Sequence, residues 1–516
     1  MAFSLLFFNS GTFARGADAG PAPAPARARP LGLAINEDDS HFYMSRPASQ
    51  MTIEGLRAFV DQYAGTRVSH LFLCPNAMKT SFRSRVWDAI WELKGPQQPP
   101  AEPIAKTWCE NARLLSERGL DPYAVWIARC REKGIVPWLS MRMNDVHNAD
   151  DVRCYIHSSF WVEHPEYWRV PGSKSGWVER AFDYEIPAVR AHHLALVREL
   201  LERYDPDGLE LDWMRFGYHF KPGREAEGGE ILTRFMQEAR VLTREWAVKR
   251  GHPILLGARV PTHPDAAKGL GLDGVRWGRE GLIDMLVPTP FWASTDFDIP
   301  IELWRERLGA SAKNLVLAAG AEILLGAYPG AKQIENDIAS ARGFAAAHLF
   351  RGADQIYLFN YMDPEPMKGP PGTYRALLDK GLALDEVIRS PRRHPVTYRD
   401  TVPPGVTNNA GLPVDARKGG KLQIYIGPAP TTGRVIFMAG LAQKEGVATA
   451  QFEVSVNGKR CRPAPDDSQL DLYPNVVRGV CFECPLEALK DGFNNLEIKQ
   501  LAPGPDQQLV WAELRI

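Results

Sequence analysis

The stretch VRAHHLALVRELLERYDPDGLELD, residues Val189–Asp212, contains the pattern that decides the fold. Its first part, Val189–Tyr204, is an amphipathic run that predicts a helix. The short apolar run Gly208–Asp212 that follows it predicts a strand. The same alternation of a short apolar run with a longer helical one extends from Leu31 to about Ser390. Such alternation is typical of parallel strands joined by helical crossovers.

Eight predicted strands follow one another along this part of the chain, which fits a (β/α)8 barrel with insertions. They are Leu31–Asn36, Val68–Cys74, Ile135–Met141, Gly208–Asp212, Ile254–Arg259, Ile283–Val287, Leu315–Ala319 and Gln355–Asn360. Further helices are predicted at Ile53–Tyr63, Ile231–Lys249 and Ile334–Phe350. An open doubly wound sheet is the alternative, but it usually has a glycine fingerprint after its first strand. Asn36-Glu37-Asp38-Asp39 stands there instead, so no dinucleotide is expected.

The pattern changes after about Arg393 to short β-type runs between Gly, Pro and Asn turns. These runs are Lys421–Ile426, Arg434–Phe437, Gln451–Val456, Asn495–Lys499 and Leu509–Ile516. They predict an antiparallel β-sandwich over residues 394–516, appended to a barrel over residues 31–393. A sandwich of this kind either binds a polymer or caps the barrel, and we expect capping.

Residues 1–30 read as a targeting and linker segment. A short apolar run near the start is followed by Ala17-Asp18-Ala19, which has the form of a signal cleavage site, and Pro21–Pro30 is rich in Pro, Ala and Arg. The run is short and lacks a basic flank, so we expect a secreted or periplasmic protein, with a cytoplasmic one as the alternative.

Composition excludes several classes of partner. The 516 residues contain 61 Lys+Arg and 62 Asp+Glu, so no basic excess exists to neutralise a nucleic acid. No apolar run reaches the ~18 residues of a membrane span. Seven cysteines, with one isolated C-x-x-C at Cys481–Cys484, predict neither a disulfide scaffold nor a metal site, and no cofactor is expected. A homo-oligomer stays open.

Barrel enzymes place their chemistry on the loops that follow the carboxyl ends of the strands. Polar side chains stand there after most of the predicted strands: Asp38 and Asp39 (first strand), Asn76 (second), Arg142 and His147 (third), Glu210, Asp212 and Arg215 (fourth), Arg259 (fifth), Glu322 (seventh) and Asn360 (eighth). Glu210 and Asp212 could instead pair with Arg259 or Arg215 as a structural network, and His147 could be an ordinary surface residue. Acid, base and guanidinium groups at one rim together favour an active site.

The set formed by Asp38, Arg142 with His147 five residues later, Arg215 and Asn360 resembles the inverting exosialidases of glycoside hydrolase family 156. The resemblance covers the barrel and rests on order and spacing. It implies a (β/α)8 barrel with a C-terminal β-rich domain that releases terminal sialic acid. It also implies Asp38 and His147 as the catalytic pair, and the sequence does not decide which of the two is the acid and which is the base. Asp39 competes with Asp38 for the first place, and we favour Asp38 as acid and His147 as base.

The chemistry of such a substrate agrees with these residues. Sialic acid has a carboxylate on its anomeric carbon, and an Arg binds a carboxylate with two parallel hydrogen bonds. Arg142 and Arg215 are therefore the predicted clamp, with Asn360, Asn76 and Arg259 as further substrate-binding candidates. An inverting enzyme needs an acid and a base separated by a water, and Asp and His can fill these roles.

Two other functions remain open at this point. A conventional barrel glycosidase would use a carboxylate pair from Glu210, Asp212 and Glu322 on a neutral glycan. A non-catalytic carbohydrate-binding protein would bind a glycan through its tryptophan-rich loops and the sandwich.

Overall fold

Eight parallel strands close into a barrel, in which each strand pairs with its neighbours in sequence. The first strand pairs with the eighth, with Ala34 opposite Tyr357. The strands are Leu33–Glu37, Val68–Leu73, Val136–Arg142, Gly208–Asp212, Leu255–Pro261, Met285–Thr289, Val316–Glu322 and Gln355–Phe359. The predicted (β/α)8 barrel is confirmed, and each strand lies within a few residues of its predicted place.

The computed structural model describes residues 31–174, 176–362 and 372–516. The predicted targeting and linker segment, residues 1–30, lies outside the described residues.

Helices connect the strands on the outside of the barrel. They are His41–Ser45, Ile53–Asp61, Pro103–Glu117, Pro122–Lys133, Ser159–Glu163, Trp177–Arg180, Pro187–Arg203, Glu225–Arg250, Pro264–Gly269, Gly274–Arg279, Ile301–Leu308, Ile338–Phe350, Thr373–Lys380 and Leu384–Val387. The helix predicted from Ile334 begins at Ile338, because the Asp337 carboxylate caps it by accepting the Ser340 N–H at 2.7 Å. Ile334–Glu335 instead pairs with Leu324–Leu325 as a two-stranded ribbon.

Side chains from alternate strand positions fill the barrel interior in layers. Trp138 forms the floor, and a Cβ added at Gly208 would lie 2.3 Å from its ring. Above it, the Glu210 carboxylate accepts hydrogen bonds from Ser140 Oγ at 2.6 Å and from the Tyr357 hydroxyl at 2.8 Å. The barrel is therefore a packed core up to its mouth, and only the last layer is available for a ligand.

The C-terminal region forms two antiparallel sheets, as predicted. One contains, in order, Arg393–Pro395, Gln508–Arg515, Val435–Leu441, Arg478–Cys484 and Arg462–Ala464, with Val414–Asp415 beside Gln508–Arg515. The other contains Gly420–Tyr425, Phe493–Gln500, Phe452–Val456 and Lys459–Arg460. Cys481 and Cys484 lie on one strand of the first sheet, and the Cys484 sulfur is 3.5 Å from that of Cys461.

An ionic network joins the sandwich to the barrel. Arg393 contacts Asp337 Oδ2 at 2.6 Å, at the start of a barrel helix, and Glu513 Oε2 at 2.7 Å, on the last strand. Arg515 contacts the other oxygen of Glu513 at 2.5 Å. These two guanidinium groups outweigh the effect of burial and lower the pKa of Glu513 to about 2. The buried carboxylate is thus ionised and holds the two parts together.

Among the described residues, no helix combines the length and the apolar character that crossing a membrane requires.

Candidate active site

The predicted site residues meet at the mouth of the barrel, at the carboxyl ends of the strands. Strand register puts Arg142, Asp212 and Arg259 directly beside one another on three neighbouring strands. On the opposite wall, Glu322 stands beside Phe359 of the eighth strand, one residue before Asn360. Parallel strands of matched length therefore bring residues from distant parts of the chain to one level.

Arg142 is held by three carboxylates. Its Nη2 donates to Asp38 Oδ2, and its Nη1 lies 3.2 Å from Asp39 Oδ1 and 3.1 Å from Asp145 Oδ2. The side chain is only 3% exposed. Both terminal nitrogens of Arg142 are thus engaged within the protein, so the geometry does not favour the predicted role of Arg142 as a substrate clamp.

Asp38 and Asp39 form a pair whose pKa values are shifted in opposite directions. Burial opposes ionisation of Asp38, but the Arg142 charge and hydrogen bonds from Asp39 and Ser40 outweigh it and lower the pKa of Asp38. Burial and the charge of Asp38 raise the pKa of Asp39 well above its usual value, and Arg142 offsets only part of this. Asp38 is the more accessible member, with 14% of its side chain exposed. The pKa shifts of the two carboxyl groups therefore run in opposite directions, and Asp39 is the member in which burial favours the protonated form.

His147 lies between an acid and a guanidinium. Its Nδ1 is 2.7 Å from Asp145 Oδ1, and its Nε2 is 2.9 Å from Arg215 Nη2. Because an arginine can only donate, Nε2 accepts this bond, and the ring proton of the neutral imidazole resides on Nδ1. The pKa of Asp145 is lowered, since His147, Arg142 and Arg215 together outweigh burial. An ionised Asp145 thus fixes the ring tautomer whose Nε2 can accept a proton.

Within the described part of the chain, two donor nitrogens of Arg215 lack a hydrogen-bond partner, and both are buried. The residue is 6% exposed, and its Nε and Nη1 have no hydrogen-bond partner among the described residues. The guanidinium lies against Trp292, with Cζ 5.0 Å from the ring centroid, and against Phe291 at 5.7 Å. Burial and the charge of Arg142 lower the pKa of Arg215. A buried cation with free N–H groups is what an incoming anion requires.

Hydrogen bonds to Asp212 and a positive φ angle define the backbone turn that carries Arg215. The Asp212 carboxylate accepts the N–H groups of Met214 and Arg215, each at 3.0 Å. The next residue, Phe216, adopts a positive φ of 67°, and Asn360 on the opposite wall has a φ of 62°. Positive φ is costly for an aromatic residue, and such strain clusters at functional sites. The turn after the fourth strand is therefore built to aim Arg215 into the mouth.

Asp212 and Arg259 neutralise each other. Arg259 Nη1 is 2.6 Å from Asp212 Oδ2, and its Cζ lies 3.9 Å over the Phe359 ring. Each side chain of this pair is about 1% exposed. This ion pair is the structural network that the sequence analysis kept as the alternative to a catalytic role. It argues against Asp212 as a catalytic carboxylate and against Arg259 as a ligand contact.

Two carboxyl groups near the site have raised pKa values. Burial raises the pKa of Glu210 to about 7, although Arg259 opposes it, and this group lies one layer below the mouth. Burial likewise raises the pKa of Glu322 to about 7, with Arg215 and Asn360 opposing. Asn360 Nδ2 donates to Glu322 Oε1 at 2.9 Å, while Glu322 Oε2 has no partner among the described residues. Glu322 is thus a proton-carrying group beside Arg215.

Asn76 supports the site from behind. Its amide nitrogen donates to the carbonyl oxygens of Ala77 at 2.8 Å and Arg142 at 3.0 Å, and the residue is fully buried. It fixes the end of the third strand, and this placement does not favour the predicted contact with a ligand.

The sequence prediction did not count Asp145, Trp177, Phe291 or Trp292 among the site residues. Asp145 had a usable signal, since a carboxylate two residues before a histidine can reach its ring. Phe291 and Trp292 also had one, because they follow the sixth strand directly, whereas Trp177, whose ring centroid is 5.0 Å from that of Phe291, lies on the long insertion after the third strand. No group of three or more His, Cys, Asp or Glu side chains in the described ranges could hold a metal ion.

The fold and the mouth define a (β/α)8-barrel protein with an acid, a base and a buried cation at one site. No family model and no curated protein matches the chain. Among solved structures, α-L-fucosidase isoenzyme 2 from Paenibacillus thiaminolyticus is 13% identical over 69% of this chain and 49% of its own, with a TM-score of 0.41. An α-galactosidase from Geobacillus stearothermophilus is 12% identical over 93% and 57%, with a TM-score of 0.37.

A putative α-L-fucosidase from Bacteroides thetaiotaomicron is 11% identical over 93% of this chain and 94% of its own, with a TM-score of 0.35. The chain spans about half the length of the first of these structures and little more than half of the second. These similarities are too distant to assign an activity.

Proposed function

We propose that the protein is a glycoside hydrolase that releases a terminal sialic acid from a glycan with inversion at the anomeric carbon. The observation that carries the proposal is Arg215, a buried guanidinium with two unused N–H positions directly beside the Asp145–His147 pair. A cation placed within one hydrogen bond of a general base suits a substrate whose carboxylate is attached to the reacting carbon.

Arg215 is the proposed clamp, in place of the pair predicted from the sequence. A two-pronged contact with a carboxylate would use Nη2 together with Nε or Nη1, so Nη2 would leave His147 when the substrate binds. Arg142 contributes indirectly, by fixing Asp38, Asp39 and Asp145 around itself.

His147 is the proposed general base. When Arg215 turns its donors to a substrate carboxylate, the Nε2 lone pair becomes available to a water molecule. The water loses a proton to Nε2 as its oxygen attacks the anomeric carbon, and the ionised Asp145 stabilises the resulting imidazolium. About one third of the His147 side chain is exposed, 34%, so solvent reaches the ring.

The Asp38–Asp39 pair is the proposed general acid. Asp39 supplies the proton and Asp38, the more exposed member, relays it: Asp38 accepts the proton from Asp39 as it passes one to the leaving oxygen, which leaves both carboxylates ionised. The glycosidic bond breaks as the new carbon–oxygen bond forms on the opposite face. Arg142, which contacts both carboxylates, offsets the second negative charge that proton delivery creates.

A screen of 4-methylumbelliferyl glycosides tests the proposal, with the α-sialoside and a set of neutral glycosides side by side. Release of fluorophore from the sialoside alone is expected, and proton NMR of the first product should show the inverted anomer. Early accumulation of the retained anomer would overturn the mechanism, and turnover of neutral glycosides alone would overturn the substrate.

A two-carboxylate glycosidase acting on a neutral glycan is the second candidate. Glu322 favours it, because a carboxyl group with a pKa of about 7 suits a general acid at neutral pH. The second carboxylate that this mechanism needs is not supplied at the mouth by the two other candidates, since Asp212 is neutralised by Arg259 and Glu210 lies below the mouth. Absence of turnover with binding of a glycan would instead support a non-catalytic carbohydrate-binding protein.

A further inference from the structure

The rim of the mouth presents one exposed indole. Among the tryptophans of the described residues, Trp292 alone is exposed, at 39%. Exposed apolar surface of this size costs free energy in water, so its placement calls for a reason. Trp292 lies on the loop after the sixth strand, and its ring contacts the guanidinium of Arg215.

The loop that carries Trp292 is held rigidly. The carboxylate of Asp400 accepts the backbone N–H groups of Phe291, Trp292 and Ala293, at 3.0, 2.8 and 2.9 Å. Asp400 belongs to the C-terminal region, on the segment between the strands Arg393–Pro395 and Val414–Asp415. Three consecutive N–H groups on one carboxylate fix the backbone, so the indole is preorganised.

The aromatic rings around the Arg215 guanidinium differ in exposure. Phe359 is 1% exposed and Phe216 is 5% exposed, whereas Trp292, whose ring centroid is 5.0 Å from Arg215 Cζ, is the ring open to solvent. A sugar whose carboxylate is bound at Arg215 lies on the buried side of the guanidinium. The part of the substrate beyond the cleaved bond then lies towards solvent.

We propose that Trp292 is the binding platform for the leaving-group sugar, a neutral hexose whose C–H face stacks on the indole. The inference rests on the proposed sialidase function, because it takes the acidic sugar to be the one at Arg215. Asp400 acts as a positioning residue, since it holds the loop and touches no substrate.

The test compares two substrates with leaving groups of similar acidity, sialyllactose and 2,2,2-trifluoroethyl α-sialoside. Trp292→Ala should lower kcat/KM for sialyllactose roughly 3- to 10-fold more than for the trifluoroethyl sialoside, because any change at Arg215 affects both substrates alike. Trp246→Ala is the matched control. That tryptophan lies on the outer helix Glu225–Arg250, where Lys249 Nζ is 4.3 Å from its ring, and its loss should change neither value.

Asp400→Asn tests the anchor, because an amide nitrogen cannot accept the loop N–H groups. It should also reduce sialyllactose hydrolysis more than trifluoroethyl sialoside hydrolysis, and Asp400→Glu should restore part of the loss. Equal effects of Trp292→Ala on both substrates, or no effect on either, would overturn the platform. A wild-type protein that cleaves neither sialoside would overturn the proposed function itself, which is a separate result.

Discussion

Arg142 and Arg215 lie within one site but differ in what their guanidinium groups have left to offer. Arg142 gives its terminal nitrogens to Asp38, Asp39 and Asp145, whereas Arg215 shares one nitrogen with His147 and keeps two N–H positions unused. From residue type and position alone, both arginines are predicted to bind the substrate carboxylate. Only the partners separate a guanidinium that organises acids from one that can bind a substrate anion.

Arg215→Lys should therefore lower kcat/KM for a sialoside although the charge is kept. An ammonium group replaces a two-pronged contact with a point charge, and a loss on the order of 1.5–3 kcal/mol corresponds to roughly 10–150-fold. Arg240→Lys is the control, because Arg240 makes a two-pronged contact with Asp284 away from the mouth, at 2.5 and 2.9 Å. Activity of Arg215→Lys within twofold of wild type would contradict the clamp.

His147→Ala and Asp145→Asn should each reduce kcat on the order of 10²–10⁴-fold, because the two side chains act as one base. The double variant should then be hardly worse than the worse single variant. The measurement is steady-state kinetics of all three variants on 4-methylumbelliferyl sialoside. Losses that multiply in the double variant would mean that Asp145 does not act through His147.

Asp38→Asn and Asp39→Asn should both slow a sialoside with a poor leaving group, since each removes one half of the proton-sharing pair. Both should recover on an activated aryl sialoside, because its leaving group needs no proton. The informative comparison is the ratio of the two substrates for each variant. If Asp39→Asn behaves as wild type, Asp38 alone is the acid; if Asp38→Asn does so, the proton leaves from Asp39.

At the scale of strands, packing of the barrel floor requires a residue without a side chain. A Cβ at Gly208 would meet the Trp138 ring at 2.3 Å, so Gly208→Ala should destabilise the protein on the order of 3 kcal/mol. Gly229→Ala is the control: on the helix Glu225–Arg250, its added Cβ would approach nothing closer than 3.8 Å. Better helix propensity should stabilise that variant by up to about 1 kcal/mol. Urea denaturation measures both, and equal midpoints would contradict the packing argument.

The strands of the barrel could be predicted because each is a short apolar run with a helical run after it. Their carboxyl ends in turn located Asp38, His147 and Arg215, since a closed parallel barrel leaves only one mouth for them. The roles of Asp39, Arg142 and Arg259 could not be predicted, because they depend on ion pairs between residues far apart in sequence. The position of Trp292 after the sixth strand could be predicted, but its anchoring could not, because Asp400 lies more than a hundred residues away.

At the scale of the whole molecule, two buried carboxyl groups couple folding to pH. Burial raises the pKa of Glu210 and of Glu322 from 4.5 to about 7. The folded state therefore binds more protons than the unfolded chain between these values. Their contribution is most favourable below the ordinary glutamate pKa and is lost as the pH rises through about 7.

Glu210→Gln should weaken the dependence of the unfolding free energy on pH. The glutamine amide resembles the protonated carboxyl group but does not titrate. The free energy of unfolding of the wild type should fall on the order of 1–3 kcal/mol per group between about pH 5 and about pH 8. Urea denaturation at both pH values gives the difference, and the variant should lose roughly half of it. A slope unchanged by the substitution would mean that Glu210 is ionised in the folded protein.

The seam between the first and eighth strands sets the order in which the barrel can be made. Ala34 and Tyr357 are partners across this seam although roughly 320 residues separate them. During synthesis, Asp38 and Asp39 leave the ribosome long before Asn360. One edge of the first strand therefore stays unpaired until the eighth strand has been made. Contacts of such long range slow folding and leave strand edges open to aggregation. Slow synthesis, low temperature or a chaperone should therefore improve the yield of soluble protein more than any change at the active site.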